Sequence, residues 1–228
     1  MAYKAFNWNV MTELDLRPEE VQGSFHAALF VFGIQLLMIL FLASVMFCTD
    51  GRYTFDITLP PDLAVLGARF VCTILMHLQV ESDVRQGLRM MKYLSNHRDD
   101  FMSANTAFLI ALMQTSGGLA AELFCIIYLC SINSPVDVII RFVALASIAK
   151  VDDFYASALP TGNRVKMDSQ PLKNRNFRRI QSEKPQTISF YVGRFIYKSL
   201  RMFYCSFLFY FLPYLAVIIP YMTGAIKA

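Results

Sequence analysis

Two long stretches without any charged residue restrict most strongly how this chain folds. Residues 27–48 form an uncharged run of 22, and residues 202–226 form an uncharged run of 25. About 20 consecutive apolar residues are enough for a helix to cross the hydrocarbon core of a bilayer, because the helix hydrogen-bonds its own backbone. Both stretches therefore predict transmembrane helices. The first is too long to be the apolar part of a cleaved signal peptide.

Three further apolar stretches contain only isolated polar or charged residues. Charged residues make up 17% of the chain, against about 25% in soluble domains. The sequence therefore predicts an all-α fold, a polytopic membrane protein of five transmembrane helices with juxtamembrane amphipathic helices. The predicted spans are at about residues 27–48, 62–80, 104–132, 136–159 and 202–226. Pro135 and Asp137 predict the start of the fourth span, because both are favoured at a helix N-terminus. Pro213 and Pro220 predict a kink in the last span.

The remaining residues predict the segments that join these spans into one domain. Residues 1–26 are polar and acidic and predict a cytoplasmic N-terminal segment ahead of a single membrane domain at 27–226. Span 2 is expected to continue as an amphipathic helix as far as residue 98. A basic loop at 161–187 and an interfacial helix at about 188–201 are expected to precede the last span.

The topology depends on whether the fourth span crosses the bilayer. This is not obvious, because "IAKVDDFYASALP" places three charges in an otherwise apolar run. If span 4 crosses the bilayer, 16 Lys and Arg residues lie on one side and two on the other. Cytoplasmic loops carry an excess of Lys and Arg, so this segregation favours a crossing. We therefore expect a cytoplasmic N-terminus and a C-terminus on the far side, in a membrane whose identity the sequence leaves open.

Charged residues inside the spans are costly unless they face protein or water. Arg69 and Glu122 each lie about nine residues from the far side, which is roughly 14 Å deep, so the sequence predicts a buried ion pair with Arg141 nearby. Arg141 is expected to face into the bundle. A second cluster is expected on the cytoplasmic side, with a possible intrahelical pair between Lys150 and Asp153. Its members are Lys150, Asp152, Asp153 and His77.

The charges of this network allow two interpretations. Three cations, Arg69, Arg141 and Lys150, are balanced by three acids, which favours a structural network that fixes helix register. The alternative is a conduction or proton-relay path, which requires that the same residues line a wet cavity.

Small residues in "QTSGGLAAE" predict a close helix contact in span 3. Two pairs have the small-xxx-small spacing that lets helix backbones approach, within the chain or between copies. The residues concerned are Ser116, Gly117, Ala120 and Ala121.

Basic residues with aromatic residues between them, in the region 161–201, predict contact with anionic lipid headgroups. Each basic residue near the surface contributes about 1 kcal/mol to that attraction. Because the region lies between two spans, lipid is expected as the partner and nucleic acid is not. The candidate headgroup contacts are Arg175, Arg178, Arg179, Arg194, Lys198 and Arg201.

Motifs of enzymes, cofactor sites and metal sites are not found in the sequence. The tripeptide at residues 97–99 matches part of a kinase catalytic loop, but no Gly-rich loop or strand lysine accompanies it. His77 and Glu81 are two candidate ligands, too few for a metal site. We therefore expect neither enzymatic activity nor a cofactor. A disulfide between Cys48 and Cys130, which both end spans on the far side, stays open.

Two of these stretches carry a resemblance. "MHLQVESDVRQGLRMMKYLSNHRDDF" and "IAKVDDFYASALP", with the Tyr- and Phe-rich last span, resemble multi-span membrane proteins of protists that have no assigned activity. The resemblance covers most of residues 25–225 and implies no functional residue.

The function expected from the sequence is that of a structural or accessory integral membrane protein, which self-associates or packs into a larger membrane assembly. The alternative is an oligomeric ion channel or transporter lined by polar residues of spans 3 and 4.

Overall fold

The computed structural model describes residues 6, 7, 11, 12, 17–49, 52, 53, 62–151 and 188–227. Its described part is almost entirely helical. Four helical segments in it are long and apolar enough to cross a membrane by length and composition, as in an integral membrane protein. They are Pro18–Ser44, Leu63–Asn96, Ala104–Leu129 and Tyr191–Met222.

The first helix, α1 (Pro18–Phe47), begins nine residues before the predicted span. Pro18 occupies the first helical position, and Glu19 and Glu20 lie in the first turn, where the helix dipole favours acidic side chains. The backbone N–H of Arg17 donates to Oε2 of Glu20 over 3.3 Å. After the helix, β1 (Cys48–Thr49) pairs antiparallel with β2 (Arg52–Tyr53) in a short hairpin.

The second helix, α2 (Leu63–Asn96), continues beyond the apolar span into the polar sequence, as expected. A single 3-10 turn (Arg98–Asp100) follows it. The third helix, α3 (Ala104–Leu129), is the most buried of the four candidate spans, with 56% of its most apolar 18 residues buried.

The fourth helix, α4 (Pro135–Ala149), has 15 residues and a length of about 22 Å. Pro135 begins it and Asp137 lies in the first turn, both as predicted. The helix ends ten residues before the predicted end of span 4, with Lys150 as the residue after it. Asp152 and Asp153 lie outside the described residues, so a fifth crossing stays a prediction.

The last helical segment is continuous, although the sequence predicts a separate interfacial helix and span. It consists of α5 (Ile188–Phe203), a π-helical turn (Tyr204–Leu208), α6 (Phe209–Phe211), a 3-10 turn (Leu212–Tyr214) and α7 (Leu215–Lys227). Pro213 lies in the 3-10 turn, where its missing N–H and its ring disturb regular α-helical bonding. This local irregularity replaces the single kink that the sequence predicts.

The chain divides into two compact units, and α1, α2, α3 and the last helical segment each contribute to both. The second unit comprises Ile34–Val84, Gly117–Val151 and Phe203–Ala228. Its core contains a fully buried apolar cluster of Ile126, Cys130, Leu212 and Ala216. This unit also contains the buried polar side chains of Arg69, His77 and Glu122.

The first unit comprises Met1–Gly33, Arg85–Ser116 and Asp152–Met202. The ring of Tyr93 stacks on His97 with centroids 4.4 Å apart, and Phe101 meets the edge of Tyr93. The backbone N–H of Met102 donates to the carbonyl of Phe6 over 2.8 Å, which attaches the N-terminal segment to this group.

Large apolar side chains are exposed along the candidate spans. Leu40 and Phe41 of α1 are 65% and 63% exposed, and Tyr210 of α6 is 62% exposed. Such surfaces are unfavourable in water and match a lipid environment. The exposed apolar residues therefore agree with the membrane interpretation of the four long helices.

Candidate functional site

A buried His–Glu pair joins α2 and α3 in the apolar interior of the second unit. Nδ1 of His77 lies 2.6 Å from Oε1 of Glu122. Glu122 is fully buried and His77 is 4% exposed. The hydrogen bond between the two side chains lowers the cost of placing them in an apolar environment.

Phe209 of α6 covers this pair from the last helical segment. Its ring centroid lies 5.3 Å from that of His77. The π-helical turn immediately precedes it, and the N–H of Phe209 donates to the carbonyl of Tyr204, five residues earlier. The extra residue in this turn thus sets the direction of the Phe209 side chain.

Each member of the pair keeps one polar atom without a hydrogen-bond partner in the described part of the chain. These atoms are Nε2 of His77 and Oε2 of Glu122, both inaccessible to solvent. Buried polar atoms are normally hydrogen-bonded, so two such atoms in one pair are unusual.

Arg69 binds the connection between α3 and α4 instead of Glu122, which corrects the predicted ion pair. Its Nε and Nη2 donate to the carbonyl oxygen of Ile132 over 3.1 and 2.9 Å, and Nη2 also donates to Oδ1 of Asn133 over 3.1 Å. The guanidinium is fully buried. Hydrogen bonds from a charged donor are stronger than neutral ones, so these bonds offset part of the cost of burying the guanidinium.

The error in the predicted pairing came from the assumed depth of the helix ends. Arg69 is level with Ile132, just beyond the end of α3, whereas Glu122 lies seven residues before that end, about 10 Å along the helix axis. His77, eight residues after Arg69, reaches that depth.

Two glutamines hold the carbonyl end of α4. Nε2 of Gln35 donates to the carbonyl of Ile148 over 3.5 Å, and Nε2 of Gln79 donates to that of Ala146 over 3.3 Å. The last four carbonyls of a helix have no partner within the helix, so these amides from α1 and α2 supply some of the missing bonds.

Lys150 forms a salt bridge with Asp83 of α2. Its Nζ lies 2.7 Å from Oδ2 of Asp83, and about a fifth of each side chain is exposed. The sequence grouped Lys150 with Asp152, Asp153 and His77, but the structure pairs His77 with Glu122. The predicted Lys150–Asp153 pair lies outside the described residues.

Arg141 is exposed, whereas the sequence placed it on a face directed into the bundle. Its Nη1 donates to the hydroxyl of Tyr128 over 2.8 Å, and its guanidinium lies 5.6 Å from the centre of that ring. Arg141 therefore belongs to the α4 surface and not to the buried network.

The four small residues predicted to mediate packing differ in burial. Ala121 and Gly117 are buried, Ala120 is half-buried and Ser116 is exposed. A close approach that the sequence did not single out is at Gly118, where an added Cβ would lie 3.3 Å from Cγ2 of Val84.

A tighter approach occurs in the first unit at Gly87. A Cβ there would lie 2.2 Å from Oγ1 of Thr115 and 3.1 Å from the carbonyl oxygen of Ala111. A glycine inside an amphipathic helix does not by itself indicate such a close contact in the sequence.

Three of the predicted headgroup contacts lie on α5. Lys198 and Arg201 are exposed and Arg194 is half-buried. Arg201 donates to the hydroxyl of Tyr197 over 3.0 Å. The other three, Arg175, Arg178 and Arg179, lie outside the described residues.

Cys130 is a free thiol buried in the core of the second unit, so the disulfide with Cys48 is not formed. Its Sγ donates to the carbonyl of Ala216 over 3.9 Å. Among the described residues, no three His, Cys, Asp or Glu side chains are grouped as metal ligands.

The sequence missed four of the partners in the network: Asp83, Gln35, Gln79 and Tyr128. Gln35 could have been noticed, because it is the one strongly polar side chain in the first uncharged run. No protein-family model, curated protein or solved structure matches the chain significantly.

Proposed function

We propose that this protein is a structural or accessory subunit of a membrane assembly, whose polar residues brace its own helices. The observation that supports this function most strongly is the pairing of His77 with Glu122, 2.6 Å apart and buried. The other polar groups of the site also bind neighbouring helices of the second unit. A network used to hold helices together places its charges in this way.

We also propose that α4 is part of a fifth crossing. The Arg69 bond to Ile132 marks the level on α2 at which α4 begins, and the Asp83–Lys150 bond marks the level at which it ends. Arg69 and Asp83 are 14 residues apart on α2, or about 21 Å, which is close to the length of α4. The helix thus accompanies α2 over most of a hydrocarbon core of about 30 Å.

A fifth crossing gathers the basic residues of 80–103 and 160–201 on the cytoplasmic side. Exposed Lys198 and Arg201 on α5 and exposed Arg85 and Arg89 on α2 then face anionic headgroups. Contact between these basic residues and lipid headgroups holds the cytoplasmic surface of the assembly against the membrane.

The experiment that tests the structural function compares Glu122→Gln with Glu19→Gln, an exposed control on α1. Both variants are expressed in membranes, extracted in mild detergent and compared by yield of folded protein. We expect Glu122→Gln to lose most of the folded yield and Glu19→Gln to match the original protein. Intact folding and assembly of Glu122→Gln, together with altered conductance, would contradict the structural function.

A second candidate function is proton conduction or proton-coupled transport. The specific observation in its favour is that Nε2 of His77 and Oε2 of Glu122 lack partners in the described part. A relay through the pair would use these atoms to receive and release the proton. Purified protein in liposomes with a pH gradient tests this function. Proton flux above that of empty liposomes, lost in Glu122→Gln that still folds, would favour it.

A further inference from the structure

Most of the α4 surface is exposed, and it carries both an acidic and a basic residue. Four of its 15 residues are buried. An exposed stripe runs through Asp137, Ile140, Ala144 and Ser147, at spacings of three and four residues, with Arg141 beside it. We call these five residues the α4 exposed face. The spacing is that of helices packing side by side.

The charges on this face are not neutralised by each other. Asp137 and Arg141 do not form a salt bridge within the described part of the chain, and the Arg141 guanidinium instead binds the neutral hydroxyl of Tyr128. Arg141 lies six residues into α4, about 9 Å along the axis from Pro135. An exposed guanidinium at that depth in a membrane is stabilised by a nearby anion, because its desolvation is costly.

A second copy of this chain supplies that anion at the correct depth. Two copies inserted with the same topology are related by an axis perpendicular to the membrane, so equivalent residues lie at equal depth. Asp137 lies one helical turn nearer the start of α4 than Arg141. Long side chains on a helix point toward its N-terminus, so Arg141 of one copy extends toward the level of Asp137 of the partner subunit.

We infer that α4 is a self-association surface, on which Arg141 of each copy pairs with Asp137 of the partner subunit. A two-fold interface is self-complementary, so the single face forms two such pairs and buries no net charge. Ala144 is small enough to let the two helix backbones approach. This inference rests on the proposed structural function and specifies the surface through which it operates.

The test uses charge reversal in four forms of the full chain. Asp137→Arg and Arg141→Asp are made singly, as a double swap, and as a mixture of the two single variants in the same membrane. Asp99→Arg, at an exposed position in the 3-10 turn after α2, is the matched control. Association is measured by energy transfer between fluorescently tagged copies in liposomes of phosphatidylcholine, diluted with lipid to give the fraction associated.

We expect each single variant to associate at least about tenfold more weakly than the original protein, because like charges then face each other. The double swap and the mixture restore association, since each provides opposite charges across the interface. The mixture also shows that the single variants are folded. The control leaves association unchanged.

Three results would overturn the inference. Single variants that associate like the original protein would show that copies meet through another face. A monomeric original protein would exclude a second copy as the occupant, while the Glu122→Gln result still tests the structural function separately. Weaker association of the single variants, without recovery in the double swap or the mixture, would show that Asp137 and Arg141 do not pair across an interface between copies.

Discussion

Nδ1 of His77 and Oε1 of Glu122 lie 2.6 Å apart although the two residues are separated by 45 positions in the sequence. The pair fixes α2 against α3 at one depth, because a shift of either helix by one turn would move the partners by about 5 Å and leave both buried and unpaired. It therefore specifies helix register as well as contributing to stability.

Removing one member of this pair is expected to cost more than removing both. Glu122→Leu leaves His77 buried without its partner and should destabilise the fold by about 3–5 kcal/mol, whereas the double variant His77→Leu/Glu122→Leu should recover most of that loss. Thermal unfolding in detergent of the two single variants and the double variant measures this coupling. Additive losses would show that the two side chains act independently.

Gly87→Ala is expected to destabilise the first unit by about 1–3 kcal/mol, because the new Cβ would lie 2.2 Å from Oγ1 of Thr115. Gly67→Ala in the same helix is the control, since a Cβ there has nothing within 4 Å. Thermal unfolding of both variants checks the prediction. Equal stability of the two would contradict the close approach of α2 and α3 at Gly87.

Arg69→Lys is expected to destabilise the second unit more than Asn133→Ala. A lysine has one ammonium group and cannot reproduce the two bonds from Nε and Nη2 to the carbonyl of Ile132. Asn133 is exposed, so its loss leaves fewer buried groups unpaired. Unfolding temperatures in detergent show which variant is less stable. A lower unfolding temperature for Asn133→Ala than for Arg69→Lys would mean that the carbonyl of Ile132 is not the main partner of Arg69.

The salt bridge between Asp83 and Lys150 is expected to contribute little to stability but to report the position of the α4 end. Because both side chains are partly exposed, Asp83→Asn should cost up to about 1 kcal/mol. Asp83→Cys with Lys150→Cys should form a crosslink in membranes, whereas Asp62→Cys with Lys150→Cys should not. Crosslinking of the control pair alone would show that α4 runs along α2 in the opposite direction.

The proposed fifth crossing predicts that exposed positions on α2 and α5 are accessible from the same side. Single cysteines at Arg89 and Lys198, introduced into a chain without its native cysteines, should both react with a membrane-impermeant thiol reagent from the cytoplasmic side. Reaction from opposite sides would mean that α4 does not complete a crossing and that the basic residues are divided.

The class of the fold followed from sequence because uncharged runs such as 27–48 leave a chain few alternatives. Pro135 and Asp137 likewise located the start of α4, since their preference for a helix N-terminus is local. Helix lengths were less accessible: α1 begins at Pro18 within a polar segment, where hydropathy gives no signal.

The pairing of charges was not predictable from the sequence, because it depends on how far each helix is shifted along its neighbour. Counting from assumed span ends matched Arg69 with Glu122, an offset of about two turns from the His77 partner observed. The role of Asp83 was hidden for a related reason. It lies beyond the apolar part of α2, where a carboxylate is common. Lys150 reaches it because α4 ends at Ala149, earlier than predicted.

The π-helical turn at Tyr204–Leu208 holds one residue more than a regular helix needs for the same rise. Because the π-helical turn accommodates one extra residue within a helix, deleting a single residue there is expected to restore regular bonding and to leave Leu212 and Ala216 packed against Ile126 and Cys130. The same deletion in a regular part of this helical segment would turn everything after it by about 100°, so the segment should tolerate the loss of one residue at the π-helical turn better than elsewhere.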